Sequence, residues 1–189
     1  MALRFKRTID VSPHMFSTRE HADTDWVLYC GAWQVGRIHE SIRPVAPRIV
    51  FVWSLTGPHT PEARVPMRGE VLTVPAAKGQ LAGAMRAWAI WAGVRTADGR
   101  APPTPRWVQD GEDWRLLSGG FLAGRIHRPT SGPRRDLRWE LLTSGPMAMP
   151  GASAGWSDSI DGAEAALLSA WRAWLEWAEL SPSNPPAGS

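Results

Sequence analysis

The stretch Asp25-Trp26-Val27-Leu28-Tyr29-Cys30-Gly31 returns later in the chain as Asp113-Trp114-Arg115-Leu116-Leu117-Ser118-Gly119, and Gly36-Arg37-Ile38-His39 returns unchanged as Gly124-Arg125-Ile126-His127. Both pairs stand 88 positions apart. Two residues drop out after the histidine. From there Trp53 matches Trp139, Gly69 matches Gly155, Thr73 matches Ser159, Trp88 matches Trp174 and Trp91 matches Trp177, each 86 positions apart. A single gap aligns the whole set, so the sequence reads as one unit used twice, and that reading governs the fold.

Each copy is expected to hold three strands and a helix. In the first, Trp26–Cys30 and Trp33–Glu40 flank Gly31-Ala32 in a hairpin pattern. Residues 41–48, with Pro44 and Pro47, read as loop. Ile49–Leu55 is rich in β-branched and aromatic residues and reads as a strand, broken by Gly57-Pro58 and Pro61. Thr73 is placed to cap a helix that carries Pro75 in its first turn. The second copy repeats this with Trp114–Ser118, Phe121–His127, Leu137–Leu142 and a helix from Ser159 to about Glu179. Ala163, Leu167, Ala170, Trp171, Trp174 and Ala178 recur at three- and four-residue steps and predict an apolar helix face made of core residues.

The fold class is therefore α+β, with two tandem βββα-type units at 25–95 and 113–180. An extension at 1–24 precedes them, in which Leu3, Phe5 and Ile9 suggest a short edge strand. A Gly- and Pro-rich linker at 96–112 joins them, and a proline-bearing tail at 181–189 is expected to be disordered.

Strand alternation sorts the side chains. In the second unit Trp114, Leu116, Gly124, Ile126, Leu137, Trp139 and Leu141 are expected under the helix, leaving Arg115, Leu117, Arg125, His127 and Arg138 on the open face. In the first unit the open face is expected to carry Val27, Tyr29, Val35, Val50 and Val52 beside Arg37 and His39. An apolar face of that size predicts a partner: either the two sheets pack together or this face binds another molecule.

The 189 residues suffice for one domain or two small ones. Twelve Trp against one Tyr, with Ala, Gly, Pro and Arg abundant, is the composition of a GC-rich gene. Lys6 and Lys78 are the only lysines, the net charge is +3 and the pI is near 9.7, which leans towards anionic partners. Cys30, alone in the chain, excludes a disulfide framework and a Cys-rich zinc site, and its counterpart Ser118 marks a small buried side chain rather than a nucleophile. The start, Met1-Ala2-Leu3-Arg4-Phe5-Lys6-Arg7, lacks the apolar core of a signal peptide, and no apolar run approaches the roughly 18 residues that span a bilayer, so a cytoplasmic location is expected.

Two places carry candidate chemistry. The first is the doubled Gly-Arg-Ile-His, whose Arg and His share a strand face. Arg37, His39, Arg125 and His127 are thus candidates for steering nucleic acid. The competing reading is scaffold: a glycine for close helix–sheet packing and an arginine bonded to a local carboxylate. Glu40, next to the first histidine, is the nearest carboxylate for a general base. No metal-ligand cluster can be placed: the five histidines are scattered, and His59 sits between prolines in a loop.

The second place is Gly83-Ala84-Met85-Arg86-Ala87-Trp88-Ala89. It resembles the signature box of the ParB/sulfiredoxin superfamily, in which Gly-x-x-Arg-x-x-Ala opens a helix. Gly83, Arg86 and Ala89 match, with Leu81 before them and Ala92-Gly93 closing the helix. The resemblance implies a ParB/sulfiredoxin-like fold and a phosphate held at a helix start. Gly83 and Arg86, with Lys78, would bind a nucleotide, ATP, and Arg86 with Glu40 would be catalytic. It further resembles the plasmid-encoded fertility inhibition factors of that superfamily. These imply ATP-linked DNase activity, DNA and the components of a type IV secretion complex as partners, and a place at the inner membrane through such a partner. A divalent metal is compatible with nuclease chemistry.

The duplication gives a different start for this helix. Aligned to Ser159–Glu179, the segment is one helix from Val74, which places Gly79 and Gly83 inside it; the second copy has Ser169 and Arg172 where the first has Gly83 and Arg86. Two readings from other classes stand beside the enzyme. One is an interaction protein masking a partner through the apolar sheet face. The other is a nucleic-acid binder without catalysis, stacking bases on Tyr29 or an exposed Trp.

Overall fold

Residues 1–12, 23–43, 48–57, 61–95, 103–130, 136–143 and 151–180 are described by the computed structural model of the chain. The chain divides into unit 1, Met1–Trp88, and unit 2, Ala89–Ser189. It is α+β, with one five-stranded antiparallel sheet in each unit.

Unit 1 runs β1 (Leu3–Arg7), a single helical turn α1 (Thr8–Val11), β2 (Trp26–Cys30), β3 (Trp33–Ile42), β4 (Ile49–Leu55), β5 (Arg68–Val71) and α2 (Val74–Trp91), whose last residues belong to unit 2. The strands pair in chain order. Gly31, with φ at 57°, makes the β2–β3 turn, where a left-handed residue matches the twist of the hairpin. Thr73 caps α2, its hydroxyl accepting from the Ala76 N–H at 3.3 Å.

Two glycines set the distance between sheet and helix. A β-carbon on Gly36 would stand 2.8 Å from a Leu81 methyl and 2.6 Å from the Ser54 carbonyl oxygen. Gly69 lies under the Trp53 indole, where a β-carbon would meet Nε1 at 2.6 Å. That indole N–H donates to Gln80 Oε1 at 2.8 Å, so the tryptophan is buried with its polar atom satisfied. Trp33 meets Trp88 edge to face, ring centres 5.6 Å apart.

Unit 2 runs β6 (Arg106–Asp110), β7 (Asp113–Ser118), β8 (Phe121–His127), β9 (Leu137–Leu141), β10 (Ala154–Ser157) and α3 (Ile160–Trp177), with the strands again paired in chain order. Ser159 caps α3, accepting from the Gly162 N–H. Gly124 sits against Leu167 as Gly36 does against Leu81, and Gly155 lies under Trp139 as Gly69 does under Trp53. A break in strand register falls between Leu28 and Tyr29 in one sheet and between Leu116 and Leu117 in the other. Phe121, Trp171 and Trp174 form the aromatic layer, with the two indoles stacked 5.0 Å apart.

Four expectations change. Each sheet has five strands, not three. The edge strand suggested by Leu3 and Phe5 forms as Leu3–Arg7, but it pairs along the whole of β2 and so belongs to the sheet rather than to an extension, and Arg106–Asp110, expected as linker, pairs with β7. β5 and β10 carry no strand signal because each is four residues long with a glycine second, and each is held by its longer neighbour. The open face of unit 1 is not an exposed apolar surface: Val27, Val35 and Val50 are at most 2% exposed. The expected tail at 181–189, residues 96–102 of the linker and His59 lie outside the described residues. Among the described residues, no helix is long and apolar enough to cross a membrane.

Candidate nucleic-acid interface

Pairing in the unit 2 sheet places its charged residues in two rows on the face opposite α3. Arg115 stands beside Arg125, and Arg125 beside Glu140. One step along, His127 stands beside Arg138, and Arg138 beside Trp156. Alternation puts all six on one side, because Gly124, Ile126 and Trp139 fill the other.

The Arg125 Nε donates to Glu140 Oε2 at 3.0 Å, and Arg138 Nε lies 2.8 Å from Glu140 Oε1. One carboxylate thus pairs with two guanidinium groups, by a hydrogen bond to Arg125 and by charge alone to Arg138 Nε, and the trio keeps a positive charge. Burial acts to raise the Glu140 pKa, but the hydrogen bond from Arg125 and the charges of Arg125, Arg138 and His127 outweigh it and hold the carboxyl below its ordinary range. Arg138 also lies over the Trp156 indole, 5.7 Å from the ring centre, and Trp156 is 42% exposed. Arg115 is fixed by Asp110. The His127 Nδ1 is buried with no hydrogen-bond partner in the described protein.

The corresponding arginine of unit 1 has a different task. Arg37 donates through Nε to Asp25 Oδ1 at 2.9 Å and through Nη2 to Oδ2 at 2.5 Å. Asp25 is 4% exposed and also accepts from the Thr8 hydroxyl at 2.5 Å. The Arg37 pKa is raised by the hydrogen bond to Asp25, against the opposing effect of its burial. This is the scaffold role: Arg37 ties β3 to the start of β2 and to α1. His39 shares its face, and Glu40 does not. Uninterrupted pairing from Gly36 to Ile42 turns Glu40 to the α2 side with Ile38, so the two neighbours in sequence serve opposite faces.

The Gly83–Arg86 box lies on α2, which starts at Val74, so Gly83 comes about two and a half turns into the helix and not at its first turn. Both residues are exposed on its outer side. The amide cluster that a helix start offers to phosphate is therefore near Val74, away from Gly83. Lys78 is occupied within unit 1: its ammonium lies 3.0 Å from the Trp26 ring centre and 5.3 Å from that of Phe5, and burial lowers its pKa. Among the described residues no group of three or more His, Cys, Asp or Glu is placed to hold a metal ion.

The arginine row of unit 2 was legible from strand alternation, but Trp156 was not, because nothing marks Ala154–Ser157 as a strand. The available signal was its place in the repeat, one residue after Gly155, the match of Gly69. Comparison of the chain with protein-family models, curated proteins and solved structures finds no match.

Proposed function

We propose that this chain binds single-stranded nucleic acid, without catalysis, on the outer sheet face of unit 2. The observation that carries the reading is the Arg138 guanidinium over the exposed Trp156 indole, with Arg125 and His127 at the adjoining cross-strand positions. An exposed indole on a flat sheet offers a base a stacking surface worth about 1–3 kcal/mol, and the arginines beside it meet the phosphates. Glu140 fixes the Arg125 guanidinium in advance, which lowers the entropy lost on binding, and pairs by charge with Arg138. Unit 1 holds the excess of basic over acidic residues and would add sequence-independent attraction. Binding of a labelled oligonucleotide that falls steeply between 50 and 300 mM salt supports this reading, and salt-independent binding would favour apolar docking of a protein partner.

The matched glycine contacts, matched register breaks and common strand order support a duplicated unit of five strands and a helix. A fertility-inhibition DNase of the ParB/sulfiredoxin type, acting with ATP and against a type IV secretion complex, is the second proposal. It rests on the resemblance of the Gly83–Ala89 box and on the exposure of Arg86. Its test is plasmid cleavage by the purified protein, with and without ATP and divalent metal, beside Arg86→Ala. Loss of cutting in that variant supports it.

A further inference from the structure

We infer that unit 2 also binds a small aromatic carboxylate, in a cavity between α3 and β6 on the side of the sheet opposite the arginine rows. The cavity measures about 230 Å³ and is walled by Trp107 of β6, by Leu168, Trp171 and Leu175 of α3, and by Leu180 beyond it. That is below the range of about 300–1,000 Å³ usual for drug-sized ligands, so the occupant is a molecule of one or two rings.

Two features choose its chemistry. The wall is predominantly apolar, with two indoles, which suits a planar hydrophobic body. Trp171, 1% exposed, and Trp107 supply the aromatic part of that wall. Arg172, next in sequence and exposed, lines the same cavity, while no Asp or Glu does. An apolar, aromatic wall with a positive charge and no negative one matches a ligand with an apolar body and an anionic group at one end. The inference is independent of the nucleic-acid reading, since none of these residues lies on the arginine face.

The probe is 2-naphthoate, titrated by calorimetry and by ¹⁵N-resolved NMR of the indole N–H groups, beside its neutral counterpart 2-naphthalenemethanol. The Trp171 resonance, assigned with Trp171→Phe, is expected to shift on saturation with naphthoate. The alcohol is expected to bind at least about tenfold more weakly, and Arg172→Gln is expected to remove that preference. Leu168→Trp, which fills the cavity from a half-buried position, is expected to abolish binding while the protein still unfolds cooperatively. No saturable binding of either compound at millimolar concentration would overturn the proposal. So would equal affinity for acid and alcohol, or unchanged naphthoate binding by Leu168→Trp.

Discussion

Arg37 grips the buried carboxylate of Asp25 through two parallel hydrogen bonds, and the Thr8 hydroxyl donates to the same carboxylate. Removing one partner leaves a charge in a poorly solvated place. We expect Arg37→Ala and Asp25→Ala each to lower stability by about 2–3 kcal/mol, less than for a fully buried pair because Arg37 is one-third exposed. Urea denaturation measures this. Midpoints unchanged in both variants would show that the pair holds nothing.

The glycines of α2 separate the two readings of that helix. A β-carbon at Gly79 or Gly83 would meet nothing within 4 Å, so alanine at either position is expected to stabilise by up to about 1 kcal/mol, as in any exposed helix interior. Alanine at Gly36 or Gly124 would strike a leucine and a carbonyl oxygen and should cost about 1–3 kcal/mol. A destabilising Gly83→Ala would instead favour a helix that begins at Gly83.

Both long helices close on a left-handed residue, Gly93 with φ at 64° and Glu179 with φ at 50°. In each, the next N–H returns to the carbonyl five residues back, Val94 to Ala89 and Leu180 to Leu175. Glutamate carries a steric cost there that glycine does not. Glu179→Gly is expected to raise stability by up to about 1 kcal/mol, read as an increase in Tm. Gly93→Ala is expected to be strongly destabilising, since its β-carbon would come within 2.6 Å of the Gly119 nitrogen.

Glu140 gives the protein an acid sensitivity of known sign. Its folded-state pKa lies below the ordinary value of 4.5. Its contribution to stability is therefore fully present above that value and is lost as pH falls from 4.5 through the lower folded value. Glu140→Gln should be less stable than the wild type at pH 7 and should lose less on acidification, which denaturant titrations at pH 7 and below 4.5 would reveal. Parallel acid profiles for the two proteins would contradict the assignment.

The longer strands and both long helices were readable because five or more alternating residues, or a capped apolar stripe, carry their own signal. The edge strands β5, β6 and β10 form because a neighbour offers unpaired backbone groups, and a four-residue sequence such as Ala154–Ser157 holds no trace of that. The doubled Gly-Arg-Ile-His was legible as scaffold or site, and its two copies divide the roles. Arg37 is held by a buried carboxylate 12 residues earlier, whereas Arg125 shares an outward-facing carboxylate on the next strand. Such partner choice depends on strand pairing and could not be read from a tetrapeptide. Glu40 shows the same limit: adjacency in sequence puts it on the wrong face for His39.

The most direct test is fluorescence anisotropy of a labelled oligo(dT) at 50 mM salt, with wild type beside Trp156→Ala and Arg138→Gln. Trp156 is exposed and its substitution should retain thermal stability, while Arg138→Gln, at a half-buried position, is compared once its thermal stability has been measured. We predict that Trp156→Ala weakens binding by about 1–3 kcal/mol, roughly 5- to 150-fold, and that Arg138→Gln weakens it and flattens the salt dependence. Wild-type affinity in both variants, or no binding by the wild type at low salt, would contradict a nucleic-acid interface on this face.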